Sequence, residues 1–73
     1  MKIYAAKDIG VFVREKRKKL GITQLQLANI SGNGTRFISD LENGKPTMQI
    51  GKIIDMLLVL GLDLSIDERS QLL

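Results

Sequence analysis

The stretch TQLQLANISGNGTRFISDLENGK, residues 23–45, decides the fold of this chain. It opens with the Thr-x-x-Gln pattern of Thr23–Gln26, in which hydroxyl and amide side chains can each satisfy a free backbone group at a helix start. Gly32–Gly34 then interrupts the helical pattern, and both of its glycines can take positive φ. A further helix is expected over Thr35–Asn43, because Gly44 ends it. The segment therefore predicts two short helices that meet at a tight turn.

The second of these helices has an apolar face and a polar face. Ile38 and Leu41 lie on the apolar side, with Phe37 at its edge. Polar side chains recur on the other side at the i, i+3, i+4, i+7 spacing, and these are Arg36, Ser39, Asp40 and Asn43. A bracing helix followed by such a helix is the layout of a helix-turn-helix, whose second helix enters the major groove of DNA.

Side chains on the polar face are expected to contact bases. Arg36 can grip a guanine through O6 and N7, whereas Asp40 can accept from cytosine N4 or only orient Arg36. The alternative for Arg36 is an ordinary exposed arginine. The expected base contacts are Thr35, Arg36, Ser39 and Asp40. Phosphate contacts, which set register and salt dependence, are expected from Gln24, Asn43, Lys45 and Lys19.

An arginine interrupts the apolar stripe of the first predicted helix, which lies before residues 23–45. That helix is expected to begin with Asp8 as its N-cap and to end at Gly21. Arg17 and Glu42 each fall beside an apolar stripe, so a semi-buried ion pair between the first and third helices would satisfy both. This role is structural, and direct phosphate binding by Arg17 is the alternative.

The remaining helical segments supply the expected core. Before the Gly-Asn-Gly turn, the residues that can face the core are Leu27, Ala28 and Ile30. A fourth helix is expected between an N-cap at Thr47 and a terminating Gly61. Its predicted buried stripe is Ile50, Ile53, Ile54, Leu57 and Leu58.

An alternating segment follows the fourth helix. Leu62, Leu64 and Ile66 alternate with polar residues, which is the period of a strand. Inside the chain the only candidate partner is residues 2–4. Because an unpaired strand leaves backbone groups unsatisfied, we expect it to pair with the same strand of a second copy about a two-fold axis.

Composition excludes several classes of protein. Seventy-three residues make one domain near the lower size limit, so additional support for the core is expected. The chain contains no cysteine and no histidine, which removes disulfides, most metal sites and the commonest catalytic bases and nucleophiles. We expect no enzyme, no metal and no cofactor, which leaves self-association as the support.

Charge is distributed unevenly along the chain. Residues 1–45 carry a net charge of +5 and residues 46–73 a net charge of −2. Contacts with a polyanion are therefore expected in the first part. The alternative is a solvated, lysine-rich helix face. No apolar run is long enough to span a bilayer and nothing resembles a signal peptide, so a cytoplasmic location is expected.

The chain resembles the Xre/Cro-type helix-turn-helix family of bacteria and phages over residues 8–61. The residues that carry the resemblance are Arg17, Gly21–Gln24, Leu27, Ala28, Gly32, Ile38, Ser39 and Leu41–Lys45. The resemblance implies a mainly α, compact four- to five-helix bundle of the lambda-repressor type. It also implies DNA contacts at the positions given above and an internal Arg–Glu pair at Arg17 and Glu42.

A narrower similarity to HipB-like antitoxins lies in Lys2–Tyr4, Arg36–Glu42, Gly44–Thr47 and Leu60–Ile66. This resemblance implies a homodimer joined by C-terminal strands, which represses its own operon from a palindromic site and binds a HipA-type serine/threonine kinase toxin. The alternatives are a stand-alone regulator, such as a phage repressor or restriction-modification controller, and an interaction module that masks a partner protein.

The expected organisation is one helix-turn-helix domain over residues 1–73. Its predicted parts are an arm, a helical bundle, a dimerisation strand and a tail, which occupy residues 1–7, 8–61, 62–67 and 68–73.

Overall fold

The computed structural model describes residues 2–68, so Met1 of the predicted arm and residues 69–73 of the predicted tail lie outside it. Within this range the chain forms four helices: α1 Ala6–Lys19, α2 Gln24–Ser31, α3 Thr35–Glu42 and α4 Ile50–Val59. α3 packs against α1 and α2, and α2 also packs against α4. The predicted mainly α helix-turn-helix bundle is confirmed for the described residues, with four helices.

Side chains fix the starts of α1 and α2. At α2, the Gln26 backbone N–H donates to Thr23 Oγ1 at 3.0 Å and the Thr23 N–H donates to Gln26 Oε1 at 2.7 Å, so the predicted capping box is confirmed. At α1 the prediction was wrong, because the N-cap is Ala5. Asp8 lies in the first turn instead, where its Oδ2 accepts the backbone N–H groups of Tyr4 and Ala5, each at 2.9 Å.

The turn between α2 and α3 uses one left-handed glycine rather than two. Gly32 caps α2 with φ +74°, and its N–H donates to the Ala28 carbonyl at 3.0 Å. Gly34 is the N-cap of α3 with φ −74°, a value open to other residues, so the expectation of positive φ there was wrong.

The core sits between all four helices. Its buried side chains are Val13, Leu27, Ala28, Ile38, Leu41, Ile53, Met56, Leu57 and Leu60. Ile30 was predicted to face this core but is 63% exposed. It lies on the outward side of α2, because the inward side is formed by Leu27 and Ala28 and continues to the half-buried Ser31.

The predicted buried stripe of α4 is only partly correct, since Ile53 and Leu57 are buried as expected and the other three residues are not. Its N-cap is Gln49 rather than Thr47. The buried residues around this helix are Ile53, Met56, Leu57 and Leu60, whereas Ile50, Ile54 and Leu58 are exposed. Lys52 and Asp55 mark only a narrow polar side of α4, so more than one apolar stripe is compatible with its sequence. Packing against α2 makes the selection.

The segment after α4 is irregular in the single chain. No strand is assigned anywhere in residues 2–68, including the Leu62–Ile66 segment that was predicted to pair with a second copy. Leu62 is tied back to α4 by its N–H, which donates to the Leu57 carbonyl at 2.8 Å. Residues 62–68 and 2–4 border a groove of about 630 Å³ whose floor is Ile9, Phe12 and Leu57.

Candidate nucleic-acid interface

The polar face of α3 presents an arginine beside a carboxylate. The Arg36 side chain is 91% exposed, and its Nε lies 3.8 Å from Oδ2 of Asp40, one helical turn away. The same oxygen is 3.6 Å from Nζ of Lys45. Asp40 therefore neutralises part of the charge on two cations, and both cations remain accessible to a ligand. Long exposed pairs such as these contribute little to stability.

Two further polar residues of this surface are joined to each other. Asn43 is exposed, and its Nδ2 donates to Ser39 Oγ at 3.4 Å. Thr35 is exposed at the start of α3. The structure thus brings the four predicted base-contact residues onto one helix surface, with Asn43 and Lys45 at its C-terminal end.

An ion pair anchors the C-terminal end of α3 to α1. Arg17 donates from Nε to Glu42 Oε2 at 2.7 Å and from a terminal nitrogen to Oε1 at 3.0 Å. Its other terminal nitrogen donates to the Ile22 carbonyl at 2.9 Å. Only 11% of the Arg17 side chain and 3% of the Glu42 side chain are exposed. Arg17 therefore ties the end of α1 to the end of α3 and to the loop before α2.

Gln24 joins the same network. Its Nε2 donates to Glu42 Oε1 at 3.2 Å, which links the first residue of α2 to the last residue of α3. An amide has two N–H donors and one carbonyl acceptor, so the second N–H of Gln24 is still available to a phosphate. The bond to Glu42 could not be expected from the sequence, because it depends on how the two helices cross.

The network keeps Glu42 charged. Burial by itself would raise the pKa of Glu42, but hydrogen bonds from Arg17 and Gln24 and the nearby charges of Arg17 and Arg14 outweigh it and leave the pKa below its ordinary value. The hydrogen bond to Glu42 likewise raises the pKa of Arg17. Both partners are ionised at neutral pH.

Gly10 in α1 allows the backbone of α3 to pack closely against α1. A Cβ on Gly10 would collide with the Leu41 carbonyl oxygen and would lie 2.9 Å from that of Glu42. Gly44 makes a similar approach to Lys7, since a Cβ on Gly44 would lie 2.8 Å from the Lys7 Cα. Gly10 was not among the residues predicted from the sequence to matter. The available signal was a glycine in a helix interior, which often marks close packing.

Lys19 is the predicted phosphate contact that lies farthest along the chain from α3. It is exposed and is the last residue of α1, five residues before Gln24.

Within residues 2–68, no group of three or more acidic side chains is arranged to hold a metal ion. None of the four helices has the length and apolar character that a bilayer crossing requires.

Comparison with known proteins identifies the class of this surface. The helix-turn-helix family HTH_3 matches residues 13–66. The chain is 51% identical over 59 residues to the uncharacterized HTH-type transcriptional regulator y4mF of Sinorhizobium fredii, which covers 81% of this chain and 78% of the relative. It is also 24% identical over 66 residues to the ImmF control region 10 kDa protein of Bacillus phage phi105, with coverage of 90% and 73%.

Solved structures of similar fold include HipB in two kinds of complex. A HipB–O1–O2 complex superposes with a TM-score of 0.83 at 25% identity, covering 93% of this chain and 99% of that chain. A HipA–HipB–O2–O3 complex gives the same TM-score and identity, with coverage of 93% and 96%. The extent of the family match and the similarity to y4mF establish that this chain belongs to the Xre-like helix-turn-helix family and is a transcription regulator.

Proposed function

We propose that the protein is a homodimeric repressor that reads a palindromic operator with α3 and serves as the antitoxin of a HipA-like kinase. The observation that supports DNA recognition is the exposed polar face of α3, a helix that the Arg17–Glu42 ion pair holds against α1. Arg36 is the main reader, since an exposed guanidinium can bond guanine bidentately. Thr35, Ser39 and Asp40 contact the flanking bases.

Phosphate contacts flank the reading face. Gln24 supplies its second N–H together with the free amides at the α2 N-terminus. Asn43 and Lys45 grip the backbone beyond the C-terminal end of α3, and Lys19 adds a charge at the end of α1. These contacts fix the register of α3 in the groove and make affinity fall as salt rises.

Dimerisation uses the segment after α4. Leu62, Leu64 and Ile66 form the pairing strand, and the unpaired backbone along residues 63–66 supports this role, since within residues 2–68 none of those N–H groups donates to another backbone group. Ile66 is 94% exposed in the single chain. A two-fold axis between the strands requires a palindromic site, with half-sites about 10 bp apart centre to centre.

The antitoxin role rests on the likeness to HipB. That protein has been solved together with HipA in a HipA–HipB–O2–O3 complex, and its fold covers nearly all of this chain. On this proposal the regulator works in the bacterial cytoplasm, holds a HipA-like kinase and represses the operon that encodes both. Purification of the tagged protein from its own host should then recover a kinase-like protein.

A second candidate function is a stand-alone regulator. The similarity to the ImmF control region 10 kDa protein of phage phi105 favours this candidate, because that relative is named for a phage control region. Recovery of operator DNA without any kinase would support the stand-alone regulator. Recovery of a kinase with no sequence-specific DNA would instead favour a protein that only masks its partner.

Selection from a random DNA library tests the proposed DNA recognition and does not require the operator sequence to be known. The native chain should enrich one palindrome with two half-sites about one helical turn apart. Footprinting of the selected duplex should protect both half-sites. Enrichment of unrelated sequences, or of a single unrepeated half-site, would contradict the proposed dimeric reader.

A further inference from the structure

Two Asn-Gly pairs flank the recognition helix α3. Asn33-Gly34 precedes it and Asn43-Gly44 follows it. Asn-Gly is the dipeptide in which the next backbone nitrogen most easily reaches the asparagine side chain, because glycine adds no Cβ to obstruct the approach. We propose that Asn33 is a site of spontaneous deamidation in the folded protein, whereas Asn43 is protected by the way α3 ends.

The Asn43-Gly44 pair is held on both sides of the bond that would react. The Gly44 N–H donates to the Leu41 carbonyl at 3.1 Å, so its nitrogen is already engaged in the helix cap. Asn43 has φ −86° and ψ 0°, and its side chain donates to Ser39 Oγ at 3.4 Å, a long bond, so the engaged Gly44 N–H is the main restraint on this pair. Gly44 also packs against the backbone of Lys7. Attack at Asn43 would require this cap to open first.

The Asn33-Gly34 pair has fewer restraints. Within residues 2–68, the Gly34 N–H donates to no protein acceptor. A Cβ at Gly34 would meet no atom within 4 Å, so no neighbouring atom crowds the residue, and among the described residues its backbone is held only through its carbonyl, which accepts the Ile38 N–H at 3.3 Å. The Asn33 side chain has one hydrogen bond, from Nδ2 to Ser31 Oγ at 3.5 Å, which is at the outer limit for such a bond.

The reaction needs only water as a co-reactant. The Gly34 nitrogen attacks Cγ of Asn33, a new N–C bond closes a five-membered succinimide, and the Cγ–Nδ2 bond breaks. Ammonia leaves with the proton that the Gly34 nitrogen gives up. Water then opens the ring at either carbonyl, which yields aspartate or isoaspartate. The net change exchanges an amide for a carboxylate and adds one negative charge.

The new charge would lie next to the proposed DNA-reading face. Residue 33 is two positions before Thr35, in the turn that enters α3. On the proposed function, a carboxylate there repels the phosphate backbone, and isoaspartate also lengthens the main chain just before the N-cap. Deamidation would therefore weaken operator binding with the age of the molecule, without any added enzyme.

Peptide mapping by mass spectrometry tests the proposal directly. The native protein is held in warm, mildly alkaline buffer, and the conversion of both asparagines is followed over time, in parallel with a sample in concentrated urea. We expect comparable conversion of the two sites in urea and several-fold faster conversion of Asn33 in the folded protein. Equal rates in the folded protein, faster reaction at Asn43, or an unreacted Asn33 would overturn the proposal.

A matched variant separates the chemistry from the fold. Gly34→Ala introduces a Cβ into open space at a φ that alanine accepts, so the fold is kept while attack on Asn33 is hindered. Gly34→Ala should stop the deamidation of Asn33, and unchanged conversion would contradict the assignment of Asn33 as the reactive site. Asn33→Asp tests the consequence for DNA: several-fold weaker binding is expected, and unchanged binding would refute the consequence while the mapping result stands independently.

Discussion

Among single residues, Arg17 and Glu42 hold the segments of the helix-turn-helix together. One guanidinium bonds a carboxylate on α3 and a carbonyl in the loop before α2, so three segments share one anchor. Charged residues beside apolar stripes were enough to predict that these two side chains meet, and Arg17 Nε lies 2.7 Å from Glu42 Oε2. The Ile22 carbonyl and Gln24 could not be predicted as partners, because their positions depend on the loop path and on the helix crossing.

Replacement of Glu42 by glutamine should make the stability of the protein less sensitive to acid. The folded-state pKa of Glu42 lies below its ordinary value of 4.5, so in acid the unfolded chain binds more protons than the native chain. The contribution of Glu42 to stability is full above about pH 4.5 and is lost as the pH falls through the lower, folded-state pKa. We expect Glu42→Gln to lower the free energy of unfolding at neutral pH by roughly 3 kcal/mol.

Urea denaturation of both proteins from neutral to acid pH measures this effect. The difference in stability between wild type and Glu42→Gln should shrink as the pH falls below that of an ordinary glutamate. A difference that stays constant over the whole range would mean that the carboxylate charge is not what stabilises the packing of α1 against α3.

At the scale of helices, the sequence predicted which segments are helical better than it predicted which faces are buried. In α3 the polar and apolar residues are separated, and Ile38 and Leu41 are buried as expected. In α4 the charged residues are Lys52 and Asp55, and the predicted stripe included Ile50 and Ile54, which are exposed. A polar side this narrow leaves more than one apolar stripe open to burial until the neighbouring helices are present.

The crossing of α1 and α3 gives a prediction at this scale. Gly10→Ala should lower the free energy of unfolding by about 1–3 kcal/mol, because the added methyl overlaps backbone atoms of α3 that cannot move away. This loss should appear although alanine favours helices. Gly51→Ala is the matched control, since α4 leaves open space at that position, and it should stabilise the protein by up to about 1 kcal/mol.

Thermal and urea unfolding of the two glycine variants measures the change in the free energy of unfolding for each. A stabilised Gly10→Ala variant would show that α1 and α3 are not in such close contact. If both variants lose stability equally, the helix crossing is not the cause.

For the whole molecule, the small core and the unpaired segment after α4 both favour a dimer. Nine side chains are buried in the described chain, whereas apolar residues such as Leu58 and Ile66 stay exposed. The basic first part and the acidic last part of the sequence fit a division between DNA contact and subunit contact. The alternation at Leu62–Ile66 predicts a strand, but within residues 2–68 this segment has no partner strand, and strand pairing needs a second edge.

Ile66→Asp should therefore weaken dimerisation without unfolding the subunit. The side chain is 94% exposed in the single chain, so its loss leaves the described core intact. Sedimentation equilibrium should give a larger dissociation constant for this variant than for Leu25→Asp, which changes a 60% exposed leucine on α2 in the same way. Equal dissociation constants for both variants and wild type would rule out the pairing strand.

A fluorescence-anisotropy titration of the selected operator with Arg36→Ala tests whether α3 reads DNA through this arginine. Lys52→Ala removes one positive charge from α4, where its Nζ lies 6.0 Å from the centre of the Phe37 ring, and it serves as the control for a charge lost near α3 but not on its polar face. We predict that Arg36→Ala loses about 1–3 kcal/mol of binding free energy and relaxes specificity at one base pair, while Lys52→Ala binds almost as wild type. Equal affinities for the two variants, with specificity unchanged, would contradict the claim that Arg36 reads a base.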